Sequence, residues 1–366
     1  MACVLALSCS SSNTEKAPVA VNTPTAETGA PVSTEPAIDG ATRGPSTEIL
    51  FHRGAAPVLT GWEETPEKLS SSYCLECHRE THGEWQQGMH AQAWTSPIFQ
   101  RAYEFESHDW CVNCHAPLSQ NRQGAEPWSK EGINCAVCHV REGRILGVRA
   151  FDGEGGKSHE VVATPYLGTS AFCAECHEFN FPESFAHTVT YSDQPMQHTY
   201  SEWLGSGRER CQECHYSGHK LLGPHNEEWM REQFSDYQVE ALDDQRLHVR
   251  FRIARRGHVT PTGDLFRSLV FVLSADKART KLLYEKRWGR FFGTGWTKPN
   301  QISTHAMKRN SGLGPEQDSV SLTLDTPPTG PLYGALIFYY HDPFFAGEGK
   351  GRDQGSSLTL WVDRLR

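Results

Sequence analysis

A five-residue unit, Cys-x-x-Cys-His, occurs five times between residues 74 and 215, and this repetition constrains the chain more than any other feature. We call each copy a motif, numbered first to fifth in chain order: Cys74–His78, Cys111–His115, Cys135–His139, Cys173–His177 and Cys211–His215. The unit is the attachment site of haem c. One helical turn between the two cysteines lets both thiols reach the same porphyrin edge. The sequence therefore predicts five covalently attached haem c groups.

In each motif, both cysteines are predicted to form thioether bonds and the histidine to be the first axial ligand of iron. The predicted attachment cysteines are Cys74, Cys77, Cys111, Cys114, Cys135, Cys138, Cys173, Cys176, Cys211 and Cys214. The predicted first ligands are His78, His115, His139, His177 and His215. A single Cys-x-x-Cys could be a redox dithiol or half a zinc site. A histidine directly after every second cysteine has no explanation in a zinc protein.

The composition limits the partners and the compartment. The formal net charge of −9 disfavours nucleic acid as a partner. A hydrophobic content of 37% is low for 366 residues, as expected if porphyrins supply much of an apolar core. There is no run of about 18 apolar residues, so no transmembrane helix is predicted.

The N-terminus resembles an export signal. Residues 1–9 are predicted to be the remnant of a secretory signal with a lipoprotein box that ends at Cys9. A chance apolar N-terminus is the alternative. Residues 10–50, rich in Ser, Thr, Pro and Ala, are predicted to be a disordered tether. The localisation predicted is therefore exported. The alternatives are the periplasm, an outer-membrane anchor and the cell surface, with a lipid on Cys9 as the one membrane contact.

The folded part is predicted to have two domains. Residues 51–235 form a pentahaem domain, mainly α-helical and irregular, with a haem-packed core. Residues 236–366 form an all-β, antiparallel, sandwich-like domain. A less regular β-rich cap is the alternative. The strands are indicated by alternating or apolar runs between turn residues, at 247–253, 269–273, 320–324, 335–340 and 358–362.

Several segments between and after the motifs have a distinctive sequence. They are Glu84-Trp85, Gly88-Met89-His90-Ala91, Ala93-Trp94, Ala116-Pro117, Glu131-Gly132-Ile133-Asn134, Thr199-Tyr200-Ser201-Glu202-Trp203 and Gly257-His258-Val259-Thr260-Pro261-Thr262-Gly263-Asp264. Together with the motifs, these segments resemble the multihaem cytochrome c554 group, whose relatives include the hydroxylamine-oxidoreductase-like cytochromes. The resemblance covers roughly residues 70 to 345. The resemblance implies closely packed haems, mostly with histidine on both sides of iron, in electron transfer.

Five irons need up to five second ligands, and methionine is scarce, so histidine is predicted in this role. His90 and His159 follow from the resemblance. The others lie in the loop after the fifth motif or in the turn that opens the β region. The predicted second ligands are His90, His159, His219, His225 and His258. The reserves are His108, His187 and His198. The residues assigned to surface or structural roles are His52, His248, His305 and His341. His82 lies four residues after His78 on one helical face and is predicted to be too constrained to bind the haem of its own motif.

Three functions remain open from the sequence. An electron carrier is favoured, with other cytochromes or an outer-membrane conduit as redox partners and an extracellular acceptor as a further candidate. A haem enzyme acting on a small nitrogen or sulfur species would need one haem without a second ligand. No Cys-x-x-Cys-Lys unit is present, and five motifs are fewer than the eight of hydroxylamine oxidoreductases. A homo-oligomer, such as a haem filament, or a subunit of a larger redox complex is the third possibility.

Overall fold

A computed structural model of the chain describes residues 66–105, 109–119, 130–151, 159–185, 188–206, 209–241, 243, 246–254, 257–297, 302–314, 319–323, 330–341 and 357–365. All of these residues belong to one compact unit. The predicted signal at 1–9 and the predicted tether at 10–50 lie outside the described residues. Among the described helices, none is long and apolar enough to cross a membrane.

The first part of the described chain is built from short helices. They are α1 (Ser71–Leu75), α2 (Arg79–Gln86), α3 (Pro97–Phe105), α4 (Val112–His115), α5 (Cys135–His139), α6 (Ser170–His177), α7 (Thr199–Ser206), α8 (Cys211–His215) and α9 (Glu227–Gln233). Every motif includes helical residues, and α5 and α8 coincide with the third and fifth motifs. Helical backbone between the paired cysteines is the geometry that their spacing predicts.

Two small sheets interrupt the helices, and the sequence analysis did not predict them. Strands β1 (Val140–Arg141), β2 (Arg144–Gly147) and β3 (Val162–Ala163) form one sheet, with β1 and β2 antiparallel. Strands β4 (Glu178–Phe185) and β5 (Thr188–His198) form an antiparallel hairpin. The hairpin directly follows the fourth motif and leads into α7, so it connects two of the helical segments that carry site residues.

The remainder is antiparallel β structure, as predicted. Its strands are β6 (Asp236–Ala241), β7 (Arg246–Arg252), β8 (Ser268–Ser274), β9 (Leu282–Thr297), β10 (Ile302–Asn310), β11 (Ser319–Thr323), β12 (Tyr333–Tyr339) and β13 (Ser357–Arg364). One sheet has the order β10-β9-β8-β12-β13 and the other β11-β7-β6. The five predicted runs fall on β7, β8, β11, β12 and β13. A helical, cysteine-bearing part followed by antiparallel sheets is therefore confirmed.

The two sheets share a hydrophobic core. Val249 of β7, Phe271 of β8 and Leu336 of β12 are each 0% exposed within it. Met230 and Phe234, from α9 and its C-terminal end, join the same core, which ties the helical part to the β part.

The larger sheet is buried on both faces at its centre. The whole of β8 is buried, and Val270 and Val272 lie in a second cluster on the opposite face from Phe271. Burial on both faces explains why β8 reads as a continuous apolar run rather than an alternating one.

Candidate haem-binding sites

The motif histidines are oriented by backbone carbonyl groups. The Nδ1 atom of His115 lies 2.8 Å from the carbonyl oxygen of Ala93, and Nδ1 of His139 lies 2.8 Å from that of Leu146. In the fifth motif, Nδ1 of His215 lies 2.6 Å from the oxygen of Leu222. A carbonyl can only accept, so Nδ1 carries the proton and Nε2 keeps its lone pair. This is the tautomer that a metal-binding imidazole needs.

Two predicted second ligands make the same kind of contact. Nδ1 of His258 lies 2.9 Å from the carbonyl oxygen of Val259, and Nδ1 of His159 lies 3.3 Å from that of Glu160. These contacts again leave Nε2 as the nitrogen available for iron.

Four motif histidines face another histidine at nearly constant separation. The ring centroids are 5.9 Å apart for His78 and His159, 6.3 Å for His90 and His177, 6.2 Å for His139 and His219, and 6.1 Å for His215 and His258. Two metal–imidazole bonds of about 2 Å in line, together with the ring radii, place the centroids roughly 6 Å apart. Each pair therefore fits one shared iron.

Each of these pairs combines a motif histidine with a predicted second ligand. The structure thus places His159 opposite the first motif, His219 opposite the third, His90 opposite the fourth and His258 opposite the fifth. The two histidines of each pair come from distant parts of the chain, so their pairing could not be predicted from the sequence. Within the described ranges, no group of three or more His, Cys, Asp or Glu side chains is arranged to hold a metal ion. Paired imidazoles suit a planar macrocycle that supplies the remaining ligands.

The second motif is arranged differently. The His115 ring stacks on Phe99, with centroids 3.7 Å apart and planes 9° apart. Across the described side chains, no histidine ring faces His115 in the way seen in the other four motifs. His225, the remaining predicted second ligand, stacks on Tyr340 at 4.3 Å, and the Tyr340 hydroxyl donates to the carbonyl oxygen of Pro224 at 2.9 Å.

Burial favours the neutral form of eight of the site histidines. It lowers the pKa of His90, His115, His139, His215 and His219. For His177, His225 and His258, burial followed by neighbouring positive groups lowers the pKa to about 4. The neutral imidazole is the metal-binding form, so protons do not compete with iron for these nitrogens at neutral pH.

The cysteines show which sites are neighbours. Hydrogen bonds join the thiols of Cys74 and Cys135, of Cys114 and Cys176, and of Cys173 and Cys211, and the bonds raise the pKa of Cys135, Cys176 and Cys173. Each bond joins two different motifs. The first site therefore adjoins the third, and the fourth adjoins both the second and the fifth.

The segment before the third motif holds it against the first. Asn134 accepts hydrogen bonds from the amides of Ala136 and Val137 at the start of α5, and its Nδ2 donates to the carbonyl oxygen of Leu69 at 2.9 Å. Glu131 accepts from the amide of Ser71 and from the Ser70 hydroxyl, both at 2.8 Å. The Glu-Gly-Ile-Asn segment is thus a structural link between two attachment sites.

The same segment supports His90. Gly132 has a φ of 75°, and a Cβ there would lie 2.4 Å from the His90 carbonyl oxygen. That oxygen accepts from the Ile133 amide at 2.9 Å, and the Ile133 carbonyl accepts from the Trp85 indole at 2.8 Å. Only glycine permits this close approach, which fixes the segment that carries His90.

The other histidines do not face a motif histidine where they are described. His82 is 5% exposed and packs against Trp85. His198 ends β5, His248 lies on the polar face of β7 in a groove with Glu240, and His341 contacts Phe266. His52, His108 and His187, and the side chain of His305, lie outside the described residues.

Charged residues from the β part also reach the site region, and the sequence analysis missed them. Arg290 is 3% exposed and donates to the carbonyl oxygens of Met196, Gly263 and Asp264. Arg267 donates to the carbonyl oxygen of Thr262 at 3.2 Å. Arginine side chains usually face solvent. The sequence positions of Arg267 and Arg290 therefore did not indicate that Arg290 is buried and Arg267 partly buried.

Five attachment motifs with paired imidazoles define a multihaem c-type cytochrome, with haem c as its cofactor. Residues 73–140, which hold the first three motifs, match the family described as cytochrome c554 and c-prime, so the resemblance predicted from the sequence is confirmed. Covalent haem attachment of this type implies an exported location.

The fold matches that of a solved protein, a penta-heme cytochrome c552 from Thermochromatium tepidum. The TM-score is 0.62 at 19% sequence identity, and the match covers 82% of this chain and 100% of that one. No curated protein sequence matches the chain.

Proposed function

We propose that this protein is a pentahaem electron-transfer cytochrome with histidine on both sides of most of its irons. The observation that carries the proposal is the set of four histidine pairs with centroids 5.9 to 6.3 Å apart. Haem c supplies reversible one-electron redox chemistry. The chain holds it through the ten motif cysteines and orients the imidazoles through carbonyl groups. Two histidines per iron leave no coordination position for a substrate, which favours electron transfer over catalysis.

His225 is proposed as the second ligand opposite His115. It is the predicted second ligand that is left after the four pairs are made. Both rings lie within electrostatic reach of the same carboxylate, Asp264, so they belong to one region of the molecule. Tyr340, stacked on the face of the His225 ring, would restrain the orientation of that ring.

The contacts between thiols join the first site to the third and the fourth site to the second and fifth, and the electrostatic interaction of Cys138 with Cys176 links the third site to the fourth. These interactions support a connected set of five sites. The fourth site has the most neighbours, since Cys176 contacts Cys114 and Cys173 contacts Cys211. Closely spaced sites of this kind suit a carrier that accepts an electron from one redox protein and passes it to another.

The compartment and partners are further parts of the proposal. We propose that the protein is exported, that Cys9 carries a lipid and that residues 10–50 act as a tether. The two β sheets, proposed to be sandwich-like, share their core with α9 and contribute His258, so they are part of the haem-binding body. The redox partners are proposed to be other cytochromes or an outer-membrane conduit.

One observation favours a second candidate function. His115 lacks a facing histidine among the described side chains, so the second site is where an open iron would occur. An open iron there would allow reaction with a small nitrogen or sulfur species.

Protein-film voltammetry separates the two functions. An electron carrier gives reversible one-electron signals that are unchanged by nitrite or hydroxylamine. A catalytic current that grows with either compound would overturn the proposal in favour of the enzyme. The His115→Met variant would then be expected to lose that current.

A further inference from the structure

Glu84 is a carboxylate that lies beside a proposed iron ligand. It is on α2, the helix that directly follows the first motif. Its Oε2 atom accepts from the backbone amide of His219 at 2.9 Å and lies 3.9 Å from Nδ1 of the same residue. Because His219 faces His139, the Glu84 carboxylate adjoins the half of the third site that carries the proposed second ligand.

The loop that carries His219 is shaped to receive this carboxylate. The loop follows the fifth motif, and its Gly218 has a φ of 58°. A Cβ on Gly218 would overlap the Glu84 carboxylate. On the helix side, a Cβ on Gly88 would overlap the carbonyl oxygen of Lys220. Glycine at both positions therefore permits the close approach of the helix and the loop.

His219 differs from two other proposed second ligands in what lies beside its Nδ1 atom. In His258 and His159, Nδ1 lies close to a backbone carbonyl oxygen. Within the described part of the chain, no backbone carbonyl accepts from Nδ1 of His219, and the Glu84 carboxylate lies beside this nitrogen instead. A nearby carboxylate favours the tautomer with the proton on Nδ1, which leaves Nε2 available for iron. The Tyr216 ring packs edge-on against His219, with centroids 5.8 Å apart.

The third site also has a buried cation on its motif side. Arg141 is 2% exposed, and its Nη1 donates to the carbonyl oxygens of Ala136 at 3.3 Å and Val140 at 2.6 Å. Arg141 thus adjoins the third motif, whereas Glu84 adjoins His219. The charge of Arg141 is the same in every Glu84 variant, so a comparison of such variants isolates the effect of the carboxylate.

We propose that Glu84 is a positioning residue that holds His219 opposite His139 and lowers the reduction potential of the third haem. The inference rests on the proposed electron-transfer function and on the pairing of these two histidines within it. An oxidised haem iron carries one more positive charge than a reduced one, so a carboxylate beside an axial ligand favours the oxidised state. The carboxylate also increases the basicity of the imidazole. Both side chains are partly exposed, so solvent screening makes the shift smaller than for a buried pair.

The first test compares Glu84→Gln with Glu228→Gln, a matched control at an exposed position on α9. Glutamine keeps an acceptor for the His219 amide and removes the charge. Midpoint potentials are measured by redox titration, followed by optical absorbance and low-temperature EPR, and the EPR signal that changes in His219→Met identifies the third haem. We expect Glu84→Gln to raise the midpoint of that haem with five low-spin haems retained, and Glu228→Gln to leave it unchanged. An unchanged third midpoint in Glu84→Gln would overturn the effect on potential.

The second test disrupts the contact from each side. Glu84→Ala removes the acceptor of the His219 amide, and Gly218→Ala adds a Cβ that overlaps the carboxylate. We expect both variants to convert the third haem partly from low-spin to high-spin, and Glu84→Gln to keep the wild-type spin state. Gly223→Ala is the control in the same loop, because a Cβ there would have no described atom within 4 Å. A wild-type low-spin spectrum in both Glu84→Ala and Gly218→Ala would overturn the positioning role.

The outcomes separate this inference from the proposed function. Equilibrium midpoints and spin states do not depend on turnover, so a catalytic current in the wild type would overturn the carrier function without affecting either test. An unchanged EPR spectrum in His219→Met would overturn the pairing of His139 with His219, and this inference with it. Glu84→Gln keeps the hydrogen bond, so it decides the effect on potential even where Glu84→Ala does not assemble.

Discussion

The imidazole rings of His215 and His258 lie 6.1 Å apart, with planes only 6° from parallel. His215 ends α8 in the fifth motif, whereas His258 lies in the turn between β7 and β8. Each ring is oriented by a backbone carbonyl oxygen at its Nδ1 atom. In the proposed function, the turn between β7 and β8 therefore supplies the second ligand of the fifth haem site.

Replacement of His258 by alanine tests this pairing. We expect one haem to change from low-spin to high-spin in the oxidised EPR spectrum, because the fifth site would lose its second ligand. Haem attachment should persist, since the motif cysteines and His215 remain. His248→Ala is the control, because His248 lies on the polar face of β7. An unaltered spectrum for His258→Ala would exclude this residue as a ligand.

The second site is tested by His225→Ala. If His225 ligates the iron opposite His115, the wild type has no high-spin haem and the variant gains one. His198→Ala is the control, since His198 lies at the end of β5 and faces no motif histidine. A high-spin signal already present in the wild type and unchanged by His225→Ala would identify the second site as open.

The haem attachment sites could be predicted from the sequence because covalent attachment requires a short, contiguous motif. The motif cysteines and histidines are adjacent in the chain, so their roles can be read directly. The proposed second ligands lie far along the chain from the motif histidines that they face, as with His90 and His177, and their pairing depends on tertiary packing. Candidate residues could be named from the resemblance and from loop positions, but not matched to particular motifs.

The fold was predictable where hydrophobic patterning is strong. Strand β8 and strand β12 stand out as apolar runs because they are buried. The hairpin of β4 and β5 was missed because Pro182 and Pro195 lie within it, and proline argues against a strand. Strand β9 was missed because Gly289, Gly293 and Gly295 interrupt its apolar pattern.

Glu202 should give the protein a pH-dependent stability. Burial raises the pKa of this carboxyl from its ordinary value of 4.5 to about 7, although a hydrogen bond from Thr262 and the charge of Arg290 oppose the change. Between these two pH values the native state binds more protons than the unfolded state. The free energy of unfolding therefore falls as pH rises from 4.5 to 7, by about 1–3 kcal/mol.

Glu202→Gln should remove this dependence. We expect the variant to gain stability relative to the wild type at pH 8 and to differ little from it at pH 4.5, as measured by urea denaturation at each pH. Glu228→Gln, an exposed site on α9, is the control. An equal change at both pH values would show that the carboxyl does not titrate in this range.

Asn134 should contribute more to stability than an ordinary helix cap. Asn134→Ala removes the bonds to the amides of Ala136 and Val137 and also the bond to the Leu69 carbonyl oxygen. We expect a loss of about 1–3 kcal/mol, because buried backbone groups are left without partners. Asn226→Ala is the matched control, since Asn226 caps α9 at the surface through the Trp229 amide. Its loss should be about 1 kcal/mol or less. Similar losses in the two variants would contradict a linking role for Asn134.

Low-temperature EPR of the oxidised wild-type protein, with haem quantified as the pyridine haemochrome, tests the central claim most directly. The account predicts five haems per chain, one for each motif, and low-spin signals that account for all of them. Fewer than five haems, or a substantial high-spin signal that shifts on addition of nitrite or hydroxylamine, would contradict a pentahaem carrier with two histidines on each iron.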